Sequence, residues 1–193
     1  MTHVSSETPA SPSARSARWL ALPLLLGALV ALTAGLTARS QLIEPGALPG
    51  DYIRLFFSDP LHLKVWFASA AVALALAQLV TAAWIFGKLP WPRPAWIPFL
   101  HRWVGRLALL CTIPVAYHCI FRLGFQTADT RVLAHSLFGC AVYGAFAAKI
   151  TIVRLHRFPR WVLPTAGGLL FAMLVGVWYS SALWFFRTIG VEI

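Results

Sequence analysis

Residues 103–153 read WVGRLALLCTIPVAYHCIF-RLGFQTADTR-VLAHSLFGCAVYGAFAAKITIV, and this stretch decides the fold. A membrane-crossing helix needs roughly 20 mostly apolar residues. The runs 103–121 and 132–153 both qualify, and the polar connection Arg122 to Arg131 turns the chain back between them. His118 and His135 therefore sit a turn or so inside neighbouring spans, at similar depth near one membrane face. Imidazole in hydrocarbon is costly without a partner, so both residues are functional candidates from their position alone.

Working outward, three further stretches have the same character. The spans run over about 19–38, 62–86, 103–123, 132–153 and 161–186 of a 193-residue chain that is 59% hydrophobic and 11% charged. These values predict an all-α integral membrane protein of five transmembrane helices, with spans two to five forming a four-helix bundle. Met1 to Arg18 is rich in Ser, Pro and Ala and reads as a disordered tail; residues 19–193 form one transmembrane domain. Arg15 and Arg18 resemble a signal n-region. The apolar run that follows is longer than an h-region, however, and Leu36-Thr37-Ala38 makes a poor cleavage site, so the first span is expected to stay as an anchor.

The net charge of +10 would suggest nucleic acid in a soluble chain, but its distribution excludes that reading. With the N-terminus inside, ten basic residues fall on the cytoplasmic side, namely Arg15, Arg18, Lys88, Arg93, Arg102, Arg106, Lys149, Arg154, Arg157 and Arg160. Six fall opposite, together with five of the six acids. This bias predicts a cell-membrane protein with a cytoplasmic N-terminus and an extracytoplasmic C-terminus. The first external loop, 39–61, is broken by Pro45, Pro49 and Pro60, with Tyr52–Phe57 as a candidate interfacial helix. The loop 87–100 is dense in Pro and Trp and should lie along the headgroups.

Two imidazoles at matched depth on facing helices can supply both axial ligands of a b-type haem. His135 begins His135-Ser136-Leu137-Phe138-Gly139, which places Gly139 on the histidine's own face and clears it for a flat macrocycle. Gly144 and Ala148 extend that small strip. The spacing recurs as His101-Arg102-Trp103-Val104-Gly105. Pro114 lies one turn before His118 and should free a carbonyl and bend the helix. Arg122, one turn after it, is placed to neutralise a propionate. His62 opens the second span on the same side and is the alternative partner of His135. His101 and His156 offer a second pair at the other face, although Arg154-Leu155-His156-Arg157 reads as a basic loop. Gln78, polar and deep in the second span, should bond to another helix. Cys111, Cys119 and Cys140 show no metal-ligand spacing and read as small buried residues.

At His101-Arg102-Trp103-Val104-Gly105-Arg106 and His135-Ser136-Leu137-Phe138-Gly139 the chain resembles transmembrane b-type cytochromes, the ascorbate-dependent cytochrome b and ferric-reductase-like modules. Over about residues 60–186 it is more similar to small multi-span actinobacterial membrane proteins that carry these motifs and Pro114-Val115-Ala116-Tyr117-His118-Cys119. The resemblance implies haem b, with lipids and a quinol or redox protein as partners. His101 and His118 lie 17 residues apart and the fifth span has no histidine, so one haem rather than two is implied. Two other readings stay open: a haem-free structural subunit or small transporter, and a copper- or zinc-handling protein using His62, His118 and His135.

Overall fold

The computed structural model describes residues 12–41, 53–156 and 158–190, with side chains from Trp19 onward in the first helix. Among the described residues six α-helices follow one another: α1 (Pro12–Ser40), α2 (Pro60–Ile85), α3 (Ile97–Tyr117), α4 (Thr130–Leu155), α5 (Val162–Trp178) and α6 (Trp184–Thr188). A π-helical segment, His118–Leu123, continues α3, and a second, Tyr179–Leu183, joins α5 to α6. Five of the resulting rods are long and apolar enough to cross a membrane: 19–40, 60–85, 97–123, 130–155 and 162–188. The chain is thus an all-helical, multi-pass membrane protein.

The helix starts follow from local chemistry. Asp59 caps α2, its carboxylate accepting the N–H groups of Leu61 at 2.7 Å and His62 at 3.0 Å, with Pro60 in the first turn. Such a cap satisfies donors that the helix cannot pair internally. Asp129 caps α4 in the same way through Val132 at 2.8 Å. α3 starts at Ile97, earlier than hydropathy suggests, because Pro98 in the first turn lacks only a donor that the helix does not use there. α1 starts at Pro12, so residues 12–18 of the expected disordered tail are helical; residues 1–11 lie outside the described residues. No helix forms at 53–57. Phe57 N–H closes a turn on Arg54 O at 3.0 Å, with Leu55 at φ 52°; Tyr52 lies outside the described residues.

Helices α2 to α5 form the four-helix bundle: α3 packs on α2, α2 on α5, and α5 on α4. α1 packs along α4 and reaches the π segment after α3. Its other face, including Leu24, Leu25, Leu29, Leu32 and Leu36, is exposed and suited to lipid. The α1–α4 seam is built on glycine. A Cβ on Gly144 would stand 2.5 Å from Gly27 O, and one on Gly27 would stand 3.1 Å from Ala148 Cβ. Gly144 and Ala148 therefore serve helix packing rather than a cleared ligand face, because small residues let backbones approach within a membrane.

The π segment after α3 ends at Gly124, whose φ of 70° and proximity to Ala38 O and Gln41 O (2.9 Å from a hypothetical Cβ) leave room for glycine alone. Phe125 N–H then bonds Ala38 O at 3.1 Å, and Ser136 Oγ exchanges bonds with Gln126 backbone N–H and O. These ties hold the short loop 124–129 against α1 and α4, which brings the ends of α3 and α4 to one level.

Candidate functional site

α3 and α4 are held apart near that end of the bundle, and the space between them is a cavity of about 250 Å³. All five long helices contribute to its wall, with Ala38, Ala71, Ala116, Gly139 and Val177 among its apolar members. Tyr143 bridges it from α4, donating its hydroxyl to Thr112 O of α3 at 3.1 Å. A Cβ on Gly139 would meet nothing within 4 Å, so this glycine opens onto the cavity as its spacing from His135 implies.

His135 lies in the wall of this cavity. Its Nδ1 is 3.2 Å from Ser180 Oγ, and the Ser180 hydroxyl is directed at Gly176 O (2.8 Å) and Val177 O (3.0 Å). With the hydroxyl proton used on the helix, Ser180 accepts from His135 Nδ1–H, so in the neutral ring Nε2 carries the lone pair. That nitrogen lies 3.9 Å from Cys119 Sγ across the gap. Arg131 holds the other side of Ser180, donating to its carbonyl at 2.9 Å while lying over the Trp184 ring at 4.3 Å.

His118 is fully buried at the first residue of the π segment. Its Nδ1 donates to Pro114 O at 2.7 Å, and its own N–H is directed at the same carbonyl. A carbonyl only accepts, so Nδ1 carries the proton in His118 as well, and Nε2 is again the ligating nitrogen. The ring packs edge-on to Tyr117 at 5.4 Å. His118 is not among the residues that line the cavity, whereas its neighbour Cys119 is. Thus both imidazoles are anchored through Nδ1, the arrangement that orients metal-binding histidines. Each anchor adjoins a π turn, a distortion frequently found at functional sites.

The remaining candidates have separate settings. Arg122 donates through Nε to Tyr117 OH at 3.2 Å and lies over that ring. His62 is held by Asp59, Nδ1 to Oδ2 at 2.5 Å, and packs edge-on to Phe185 at 5.3 Å; it lines a different cavity from His135. His101, at the opposite end, has Nδ1 2.8 Å from Thr81 Oγ1. Its backbone carbonyl accepts from Gln78 Nε2, the interhelical bond expected of that glutamine. Gly105 seats the Gln78 side chain, whose Oε1 would be 3.0 Å from a Cβ there, so this second His-x3-Gly builds the α2–α3 contact. His156 is exposed, in a left-handed conformation at the end of α4, with Nδ1 bonded to Arg154 O at 2.8 Å. Among the described residues no three His, Cys, Asp or Glu side chains converge as a metal site.

Ser180, the two π segments and the Asp59–His62 pair carry no motif in the sequence. A serine about two turns before the end of an apolar span gives only a weak signal, and its partner lies 45 residues away.

Fold and site together define a multi-pass helical membrane protein with a largely apolar cavity between two histidine-bearing helices. The chain belongs to DUF6529, a family of unknown function whose match runs over residues 20–193. No curated protein and no solved structure matches it.

Proposed function

We propose that the protein is a b-type haem protein of the cell membrane that passes single electrons between a membrane or cytoplasmic donor and an extracytoplasmic acceptor. The observation that carries this reading is the paired Nδ1 anchoring of His118 and His135, which leaves the lone pair of each neutral ring on Nε2; His135 lines the cavity, and Cys119, next to His118, comes within 3.9 Å of His135 Nε2. The surroundings fit a haem: the cavity wall is largely apolar, and Gly139 presents a flat, unobstructed helix face. At about 250 Å³ the cavity lies just below the ~300–1,000 Å³ typical of ligand pockets.

In this reading His135 and His118 hold the iron, and the haem supplies one-electron redox chemistry. The protein's own residues set the conditions. Ser180 and the Pro114 carbonyl fix the tautomers, the alanine-rich wall excludes water, and Tyr143 spans the cavity floor as a hydrogen-bonded strut. The excess of basic residues at the opposite end, including Lys88, Arg93, Arg102 and Arg154, supports a cytoplasmic N-terminus and an external haem end.

Alanine substitutions test the site. His118→Ala and His135→Ala are each expected to lose the low-spin haem spectrum, and His156→Ala to keep it. Retention of that spectrum in both of the first two variants would overturn the pair.

A further inference from the structure

Cys119 and His135 are 16 residues apart in sequence, yet they meet at the α3–α4 cavity with Sγ 3.9 Å from Nε2. Cys119 comes from the π segment after α3 and His135 from α4. The imidazole turns its lone pair toward the sulfur, because Nδ1–H is spent on Ser180 Oγ. The other polar side chains of the wall are engaged with the backbone. Thr112 donates to Leu109 O at 2.7 Å, Ser136 to Gln126 O at 3.0 Å, Gln126 to Leu123 O at 2.7 Å and Tyr143 to Thr112 O at 3.1 Å. One thiol and one imidazole nitrogen are the pair left facing each other.

We infer that Cys119 Sγ and His135 Nε2 bind one soft monovalent metal ion, Cu(I) in class, between them. Bonds of ~2.3 Å to a thiolate and ~2.0 Å to an imidazole, the lengths known at zinc, bridge this separation with an angle of about 130° at the ion. Neither side chain has to move. The donor types favour soft ions, since thiolate selects Cu(I) or zinc over magnesium, calcium and manganese. Charge then separates those two. A thiolate and a monovalent ion make a neutral unit, whereas a divalent ion leaves one positive charge over. No charged side chain lines the cavity to offset it, and an unpaired charge in apolar surroundings is costly. Structural zinc also takes four ligands, and among the described residues no third His, Cys, Asp or Glu joins the pair. On binding, the S–H bond breaks, an S–metal bond forms, and the proton leaves to water past Gln126, an exposed loop residue that also lines the cavity. Nothing is oxidised or reduced. His62 lines a different cavity and His118 is outside this lining, so neither joins the site. The inference is independent of the haem reading except that both use His135 Nε2, so one chain holds one occupant or the other.

The test uses full-length protein from cells grown without added haem, titrated anaerobically with Cu(I) against a colorimetric Cu(I) chelator. One ion per chain is expected, together with protection of Cys119 from N-ethylmaleimide, read by peptide mass spectrometry. Cys111, in the other cavity, should react equally with and without the ion. Cys119→Ser and His135→Gln should lose the ion, and Cys140→Ser should keep it. Equal alkylation of wild-type Cys119 with and without Cu(I), or retention of the ion by Cys119→Ser, would overturn the inference even if the histidine variant fails to fold. Protection by Zn(II) as strong as that by Cu(I) would contradict the charge argument. Chains loaded with haem should take up no Cu(I), and uptake by them would contradict the shared nitrogen. A protein that takes up one Cu(I) but never shows a Soret band would refute the haem reading and leave this site standing. One that binds haem, yet takes up no Cu(I) when haem-free, would do the reverse.

Discussion

His135 and Ser180 show how one hydrogen bond sets the chemistry of a site. Because the Ser180 hydroxyl is spent on Gly176 O or Val177 O, the serine can only accept from the imidazole, and Nε2 is the nitrogen left with a lone pair. Ser180→Ala is expected to weaken haem retention about 10–100-fold, the usual cost of losing an outer-shell partner, whereas Ser180→Thr keeps the acceptor and retains most of it. A haem-binding titration distinguishes them, and equal affinities would remove Ser180 from the site. Asp59 gives a separate prediction, in acid. Partial burial pushes its carboxyl up, but hydrogen bonds from the His62 backbone and ring and from Leu61 outweigh this and hold it below the ordinary carboxylate range. A depressed folded-state value means that the stabilisation is full above the unfolded value of ~3.9 and is lost as pH falls through the folded one. The thermal midpoint of the wild type should therefore fall more steeply below about pH 4 than that of Asp59→Asn, which still caps the helix. Parallel curves would show that the cap carries no charge-dependent stability.

Among the elements, α4 divides its small residues between two duties, one on each side of the helix. Gly139, about one turn after His135, shares its face and opens on the cavity, whereas Gly144, about two and a half turns after it, lies on the opposite face and meets the backbone of Gly27. Gly144→Leu should overpack the α1–α4 seam, cost ~1–3 kcal/mol and lower the melting temperature. Gly139→Leu should leave folding nearly intact, fill part of the cavity and lower haem content. A Gly139→Leu protein with full haem content would place the macrocycle on another face of α4. Helical periodicity gives each face but not its neighbour, so the sequence could not say that the face of Gly144 packs on α1, an element whose packing partner is not encoded locally. The same limit applies at Gly105, where the His-x3-Gly spacing is shared but the neighbour is Gln78.

At the scale of the whole molecule, the five spans and their order were legible from length and hydropathy, because a bilayer imposes both on any chain that crosses it. His118 and His135 at one level followed from the short loop between them. What could not be read was the separation of α3 from α4, the π turns, and the removal of His62 to a different cavity, since each depends on contacts between distant segments. The proposed orientation is open to test by reporter fusions. Fusions in the 87–96 loop and after Arg154 should report cytoplasm, and an external signal from either would reverse the membrane face assigned to the haem end. The central claim is the haem itself, and the most direct measurement is the optical spectrum of the purified full-length protein, oxidised and then reduced with dithionite. A Soret band that sharpens and shifts on reduction, with a b-type α band and close to one haem per chain by extraction, is the expected result. A protein that folds, binds no haem when haem is supplied during expression, and shows no Soret band would contradict it.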